Sequence, residues 1–202
     1  LGTCIVNSWT RGQALMSVTF STLDNLAPGR MNLGLGAYWN PLAWKQGIDR
    51  RKPLTQMREY IGVLRRLLAL EEGVSFEGEL VKVRDLTLDL GHGDPRVPPD
   101  VKIFIGPTGP RMMELAGEIA DGALINGILS PSYTVRSLER MAIGAARSGR
   151  DLDDIEAIER MPLEERLEFT NTYDLIGAGV ALDANKVAVY FHPHGDPKET
   201  PE

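Results

Sequence analysis

Two hundred and two residues, 43% hydrophobic and 25% charged, have the composition of one globular domain over 1–202 and exclude a disordered tail, a collagen-like repeat or a mini-protein. Twenty-two Lys and Arg against 28 Asp and Glu leave a net charge of −6, which offers no field to attract nucleic acid. A single cysteine excludes an internal disulfide, and no apolar run approaches the ~20 residues of a membrane helix. The expectation is a cytoplasmic protein with neither nucleic acid nor membrane among its partners.

The chain opens in an apolar run, Leu1-Gly-Thr-Cys-Ile-Val6, with no Met and no secretory leader, and reads as a start made partway into a strand. Residues 3–6 are β-branched and apolar and predict a buried strand that ends in the loop Asn7-Ser8-Trp9-Thr10. Over 13–26, Leu15, Val18, Thr19, Leu23 and Leu26 recur at helical spacing until Pro28-Gly29 breaks the pattern. Residues 31–36 predict a second strand in which Gly34 and Gly36 permit close backbone approach, and 37–51 reads as an irregular aromatic loop.

Pro53 suits the first turn of a helix to about residue 70, with Met57, Ile61, Leu64, Leu67 and Leu68 inward and Arg58, Glu59, Arg66 and Glu71 in solvent. Loose alternation over 74–90 predicts an added hairpin. A Gly/Pro/Asp-rich connector, 91–100, leads to a strand at 101–105, the loop Gly106-Pro-Thr-Gly-Pro110, a helix at 111–120 and a strand at 123–126. Ser130-Pro131 can cap and start a helix over 135–148. Residues 151–156 lead toward a strand that does not arrive, 157–169 is charged and helical, and 186–191 predicts one more strand. Short strands alternating with amphipathic helices argue for a parallel α/β fold, either an open sheet or a closed barrel. In a barrel, Asn7, Trp9, Trp39, the 106–110 loop, Asn126 and His192 would share the rim at the strands' C-terminal ends.

The 106–110 loop ahead of a helix can offer amides and the positive end of the helix dipole to a phosphate. A tight turn with Thr108 capping the helix explains the same residues. The loop is neither a dinucleotide fingerprint nor a triphosphate loop. His192 and His194 near Asp196 have metal-like spacing, but His92 lies in a remote connector and a solvated loop is the default. Cys4 lacks a nearby base and reads as a small buried hydrophobe, and Met112 and Met113 as core. Ser8 and Ser130 lack a nucleophile elbow, and Asp153-Asp154 and Glu164-Glu165 read as solvated helix ends.

Four stretches, taken together, resemble the luciferase-like family: Thr3-Cys-Ile-Val-Asn7 with Trp9-Thr-Arg11, Thr22-Leu-Asp-Asn-Leu-Ala-Pro-Gly-Arg30, Leu33-Gly-Leu-Gly36, and the run from Gly106 to Gly122. Within it the likeness is to the branch that uses the deazaflavin coenzyme F420, typified by methylene-tetrahydromethanopterin reductase. The resemblance implies a TIM-type (β/α)8 barrel, of which five strands can be counted here, at Thr3, Met31, Val101, Ala123 and Lys186, with further strands expected before Leu1 and after Glu156. It also implies a non-proline cis peptide at Cys4-Ile5 behind the coenzyme ring, Asn7 at the ring's polar edge, and Gly36 and Ala37 lining the pocket. Gly106, Thr108 and Gly109 would bind the coenzyme phosphate, with Asn126 also at the coenzyme. Trp9 and Trp39 would face the substrate, and Asp24 and Arg30 would be structural. The implied activity is hydride transfer between F420 and a small organic substrate, in a homodimer. An FMN-dependent monooxygenase of the same family, or a non-catalytic barrel homologue acting as a partner, are the alternatives.

Overall fold

A parallel sheet buries both faces of its strands only if each return passes over it, and the alternation of short apolar strands with amphipathic helices supplies those returns. A computed structural model describes residues 1–90, 98–125 and 130–158, all within one unit, Leu1–Glu159. In chain order the elements are β1 (Val6–Asn7), α1 (Gln13–Leu26), β2 (Asn32–Gly36), α2 (Asn40–Lys45), α3 (Pro53–Leu68), β3 (Val74–Glu77), β4 (Lys82–Leu86), β5 (Lys102–Ile105), α4 (Pro110–Ile119), β6 (Gly122–Leu124), α5 (Pro131–Arg147) and β7 (Glu156–Ile158). Five strands form one sheet, ordered β1-β2-β5-β6-β7, with every neighbouring pair parallel. This is the strand-helix repeat of a TIM-type barrel. The antiparallel hairpin β3-β4 stands apart from it.

Alternation sorts the sheet's side chains. Leu33, Leu35, Ile103, Ile105 and Ala123 are fully buried in one core with Met16 and Phe20 of α1, Ile61 and Leu64 of α3, Met113 of α4 and Met141 of α5. The intervening positions Gly34, Gly36, Phe104, Gly106, Gly122 and Leu124 face the other way. Helices α4 and α5 approach until backbone meets backbone: a Cβ on Gly117 would overlap the Met141 carbonyl, and one on Gly144 the Glu114 carbonyl.

Several expectations are corrected. The regular strand near the N-terminus is Val6–Asn7 and not 3–6, and Cys4 is exposed rather than a buried hydrophobe. Helix α1 turns Met16, Ser17, Phe20, Ser21 and Asp24 inward, leaving Leu15, Leu23 and Leu26 exposed. Both of its faces are apolar enough to carry helical periodicity, and the face with small Ser17 and Ser21 beside large Met16 and Phe20 fits the sheet. The loop at 37–51 contains α2, and a strand does form after residue 155, as β7 beside β6. Gly109, not Thr108, is the N-cap of α4, and Ser130 occupies the N-cap of α5 with its hydroxyl paired to Ser132. Glu59, expected in solvent, accepts the amides of Glu79, Leu80 and Val81 at 2.8–2.9 Å and ties α3 to the hairpin turn. The strand expected at 186–191, the three histidines and most of 157–169 lie outside the described residues, as does the far end of the domain expected over 1–202.

Candidate functional site

Parallel strands deliver all their C-terminal ends to one rim, so the loops after β1, β2 and β5 meet there. Asn7 is paired with Gly36 and Leu35 with Ile105, and the Ser8 and Gly106 amides carry the ladder one step past the strands, to the carbonyls of Gly36 and Leu35. The Cys4-Ile5 peptide bond is cis, where the resemblance implied one. Beyond it the Ile5 side chain lies across a floor of glycines. A Cβ on Gly36 would overlap Ile5 Cδ1, one on Gly106 would sit 2.9 Å from it, and one on Gly34 would meet Ile5 Cγ2 at 3.2 Å and overlap the Thr3 carbonyl. Ile5 is 45% exposed, an apolar step on an otherwise bare backbone surface.

The rim is held by hydrogen bonds through backbone. Asn7 turns its side-chain oxygen into its own loop, accepting the amides of Trp9 and Thr10 and the Thr10 hydroxyl at 2.9–3.1 Å. Gln56 of α3 reaches up, buried, to donate to the Ser8 carbonyl at 2.9 Å. The Ala37 carbonyl accepts two donors, the Trp9 indole at 3.0 Å and Arg50 Nε at 2.7 Å, and Arg50 Nη1 also donates to Asn40 Oδ1 at 3.1 Å. Burial lowers the Arg50 pKa from its ordinary value. Trp9 is thus fixed inside the loop, whereas Trp39, at the N-cap of α2, is 57% exposed.

At the β5 end the loop stays open. The Met112 and Met113 amides return to the Gly109 carbonyl and Pro110 has no N–H, so among the described residues the amides of Thr108, Gly109 and Arg111 have no acceptor. A Cβ on Gly109 would meet nothing within 4 Å. Thr108 is exposed, and its carbonyl accepts the Tyr133 hydroxyl at 3.1 Å. Arg111 sits in the first turn of α4, where a cation opposes the helix dipole, and it has no carboxylate partner among the described residues. Asn126 lies outside the described residues. Two clefts elsewhere, one of about 620 Å³ at the opposite strand ends beside Lys102 and Asp121, one of about 370 Å³ between α3 and α4 that Arg111 lines, contain none of the site residues expected from the sequence.

Residues 1–162 match the family described as luciferase-like monooxygenase. The chain belongs to that family. It is 34% identical over 156 residues to a 5,10-methylenetetrahydromethanopterin reductase from Methanolobus tindarius, covering 77% of this chain and 45% of the relative. It is 31% identical over 169 residues to an F420-dependent glucose-6-phosphate dehydrogenase from Nakamurella multipartita, covering 80% and 47%. Among solved structures, the coenzyme F420-dependent tetrahydromethanopterin reductase from Methanopyrus kandleri superposes with a TM-score of 0.67 at 28% identity, covering 78% of this chain and 48% of that one. The chain therefore spans about half the length of the relatives it matches.

Within this luciferase-like chain much of the 106–122 signature does packing work. Gly117 allows α5 to approach, Glu114 pairs with Arg140 and Arg147, and Glu118 with Arg58. Asp121 binds the Ile103 amide and Arg65, and a Cβ on Gly122 would overlap Phe104. Asp24, likewise, accepts the Gly29 amide at 2.8 Å and the Asp100 amide at 3.3 Å, an internal brace. Sequence reasoning missed Gln56 and Arg50 at the rim. Gln56 carries a signal, a polar residue on the apolar face of α3, while Arg50 sits in the run Arg50-Arg51-Lys52, which looks like solvated charge.

Proposed function

We propose that this chain holds coenzyme F420 on its glycine floor and belongs to an F420-dependent oxidoreductase acting on a small organic substrate. The observation that carries the reading is a pairing on one rim: an apolar step at Ile5 over Gly34, Gly36 and Gly106, and, one strand away, amides at Thr108, Gly109 and Arg111 that have no acceptor among the described residues. A planar ring needs the first and a phosphate the second. The relatives named as F420-dependent support this choice over FMN. Their names differ in substrate, so they support the coenzyme and not a particular substrate.

Bound F420 would supply a two-electron hydride carrier. The chain's own part is positional. Ile5 and Ala37 would present the ring's seat, the Thr108 and Gly109 amides would grip the phosphate, and the Asn7 and Ala37 hydrogen bonds would keep the rim from shifting. Trp9 and Trp39 would border the substrate, and a cytoplasmic homodimer is the form in which we expect it to work. Titration of the purified protein with F420, and separately with FMN, tests the reading. Quenching or a spectral shift with F420 at micromolar levels is expected; a response to FMN alone points to the monooxygenase alternative, and a response to neither overturns both.

A further inference from the structure

We propose that Arg50 is the recognition residue for an oxyanion on the substrate, so that the substrate class is an organic acid, a carboxylate or phosphate monoester. The inference rests on the coenzyme reading only for what occupies the neighbouring floor.

The argument starts from charge balance. A half-buried guanidinium loses hydration and normally recovers it from a carboxylate. The half-buried Arg65 and Arg66 do so, with Asp121 and Glu71. Arg150 does not, but it donates to the Ala120 carbonyl at the C-terminus of α4, at 2.8 Å, where the helix dipole supplies negative potential. Among the described residues Arg50 has neither recourse. Its two bonds go to a loop carbonyl and an amide oxygen, both neutral, and the nearest acid in sequence, Asp49, pairs with Arg51. Its remaining N–H groups have no acceptor among the described residues, and a guanidinium offers them as a planar fork that matches carboxylate and phosphate oxygens.

The position suits recognition. Arg50 is locked onto Ala37 at the end of β2, the strand whose Gly36 forms the floor, and the Trp9 indole shares the same carbonyl. The amides of Thr108, Gly109 and Arg111 follow β5, so the two anion-seeking groups stand at different strand ends, one for each half of a coenzyme and substrate pair. Exposed Trp39 adjoins Asn40, the other group that holds Arg50, and offers an apolar surface for the body of an organic anion.

The test uses benzoate, phenyl phosphate and neutral benzamide, with binding followed by tryptophan fluorescence, in wild type and in Arg50→Gln, Arg50→Lys and Arg51→Gln. Wild type is expected to bind at least one anion at least tenfold more tightly than benzamide, and which anion is tighter identifies the oxyanion. Arg50→Gln should lose that preference, and Arg50→Lys and Arg51→Gln should keep most of it. Modification by phenylglyoxal, mapped by peptide mass on wild type, gives a readout free of folding effects: the anion should slow reaction at Arg50 at least fivefold and leave Arg51 unchanged. Benzamide binding as tightly as both anions, equal loss in Arg51→Gln, or equal protection at Arg51 would overturn the proposal. F420 titration of the wild type separates the two readings. Anion preference without any F420 binding sinks only the coenzyme assignment, whereas F420 binding without anion preference sinks only the role of Arg50.

Discussion

Single side chains in this protein act mostly by holding backbone in place. Glu59 shows it away from the rim. Burial opposes its charge, but the amides of Leu80, Val81 and Glu79 outweigh that and lower its pKa below the ordinary 4.5. Its stabilisation is therefore complete above that ordinary value and is lost as pH falls through the lowered one. Glu59→Ala leaves three turn amides to solvent and is expected to cost about 1–2 kcal/mol at neutral pH, allowing for screening. Urea unfolding at neutral and acid pH should show the gap between variant and wild type closing as pH drops. At the floor, Gly36→Ala places a methyl against the movable end of Ile5, while Gly34→Ala drives one into the Thr3 carbonyl. Gly36→Ala should leave the unfolding midpoint nearly unchanged and weaken coenzyme binding at least tenfold. Gly34→Ala should lower stability by about 1–3 kcal/mol. The glycines were legible as places of close approach, but that Ile5 is what approaches was not, because it comes from the segment just ahead of a neighbouring strand.

Elements followed from periodicity where one face alone is apolar. Helix α3 carries Met57, Ile61, Leu64, Leu67 and Leu68 inward as the spacing predicts. Helix α1 does not, since leucines and hydroxyl residues alternate around it and the sheet's shape decides which side fits. The α4–α5 contact depends on two glycines that look unremarkable in the sequence. Gly144→Ala must lift α5 off the Glu114 carbonyl, and we expect a loss of about 3 kcal/mol, measured by chemical denaturation. Gly62, on the same kind of helix but with open space around it, serves as a control in which Ala is tolerated or stabilising.

For the whole molecule the coenzyme assignment becomes a statement about stability. A ligand that binds only the folded chain stabilises it by about 2.7 kcal/mol at a hundredfold excess over its Kd. Thermal melts should therefore rise with F420 and less or not at all with FMN. A rise with FMN alone would move the assignment to that cofactor. Among the described residues no helix is long and apolar enough to cross a membrane.

Read by itself, the sequence determined the alternation of strand and helix, because that depends on local spacing, and its separated motifs carried the resemblance to the family, which in turn implied the cis peptide. Only the tertiary structure decided which face of α1 is buried, that β7 joins the sheet, and that Arg50 has no carboxylate partner among the described residues. Each of those depends on what a distant segment brings into contact, and a chain of neighbours in sequence holds no record of which oxygen will lie beside which nitrogen.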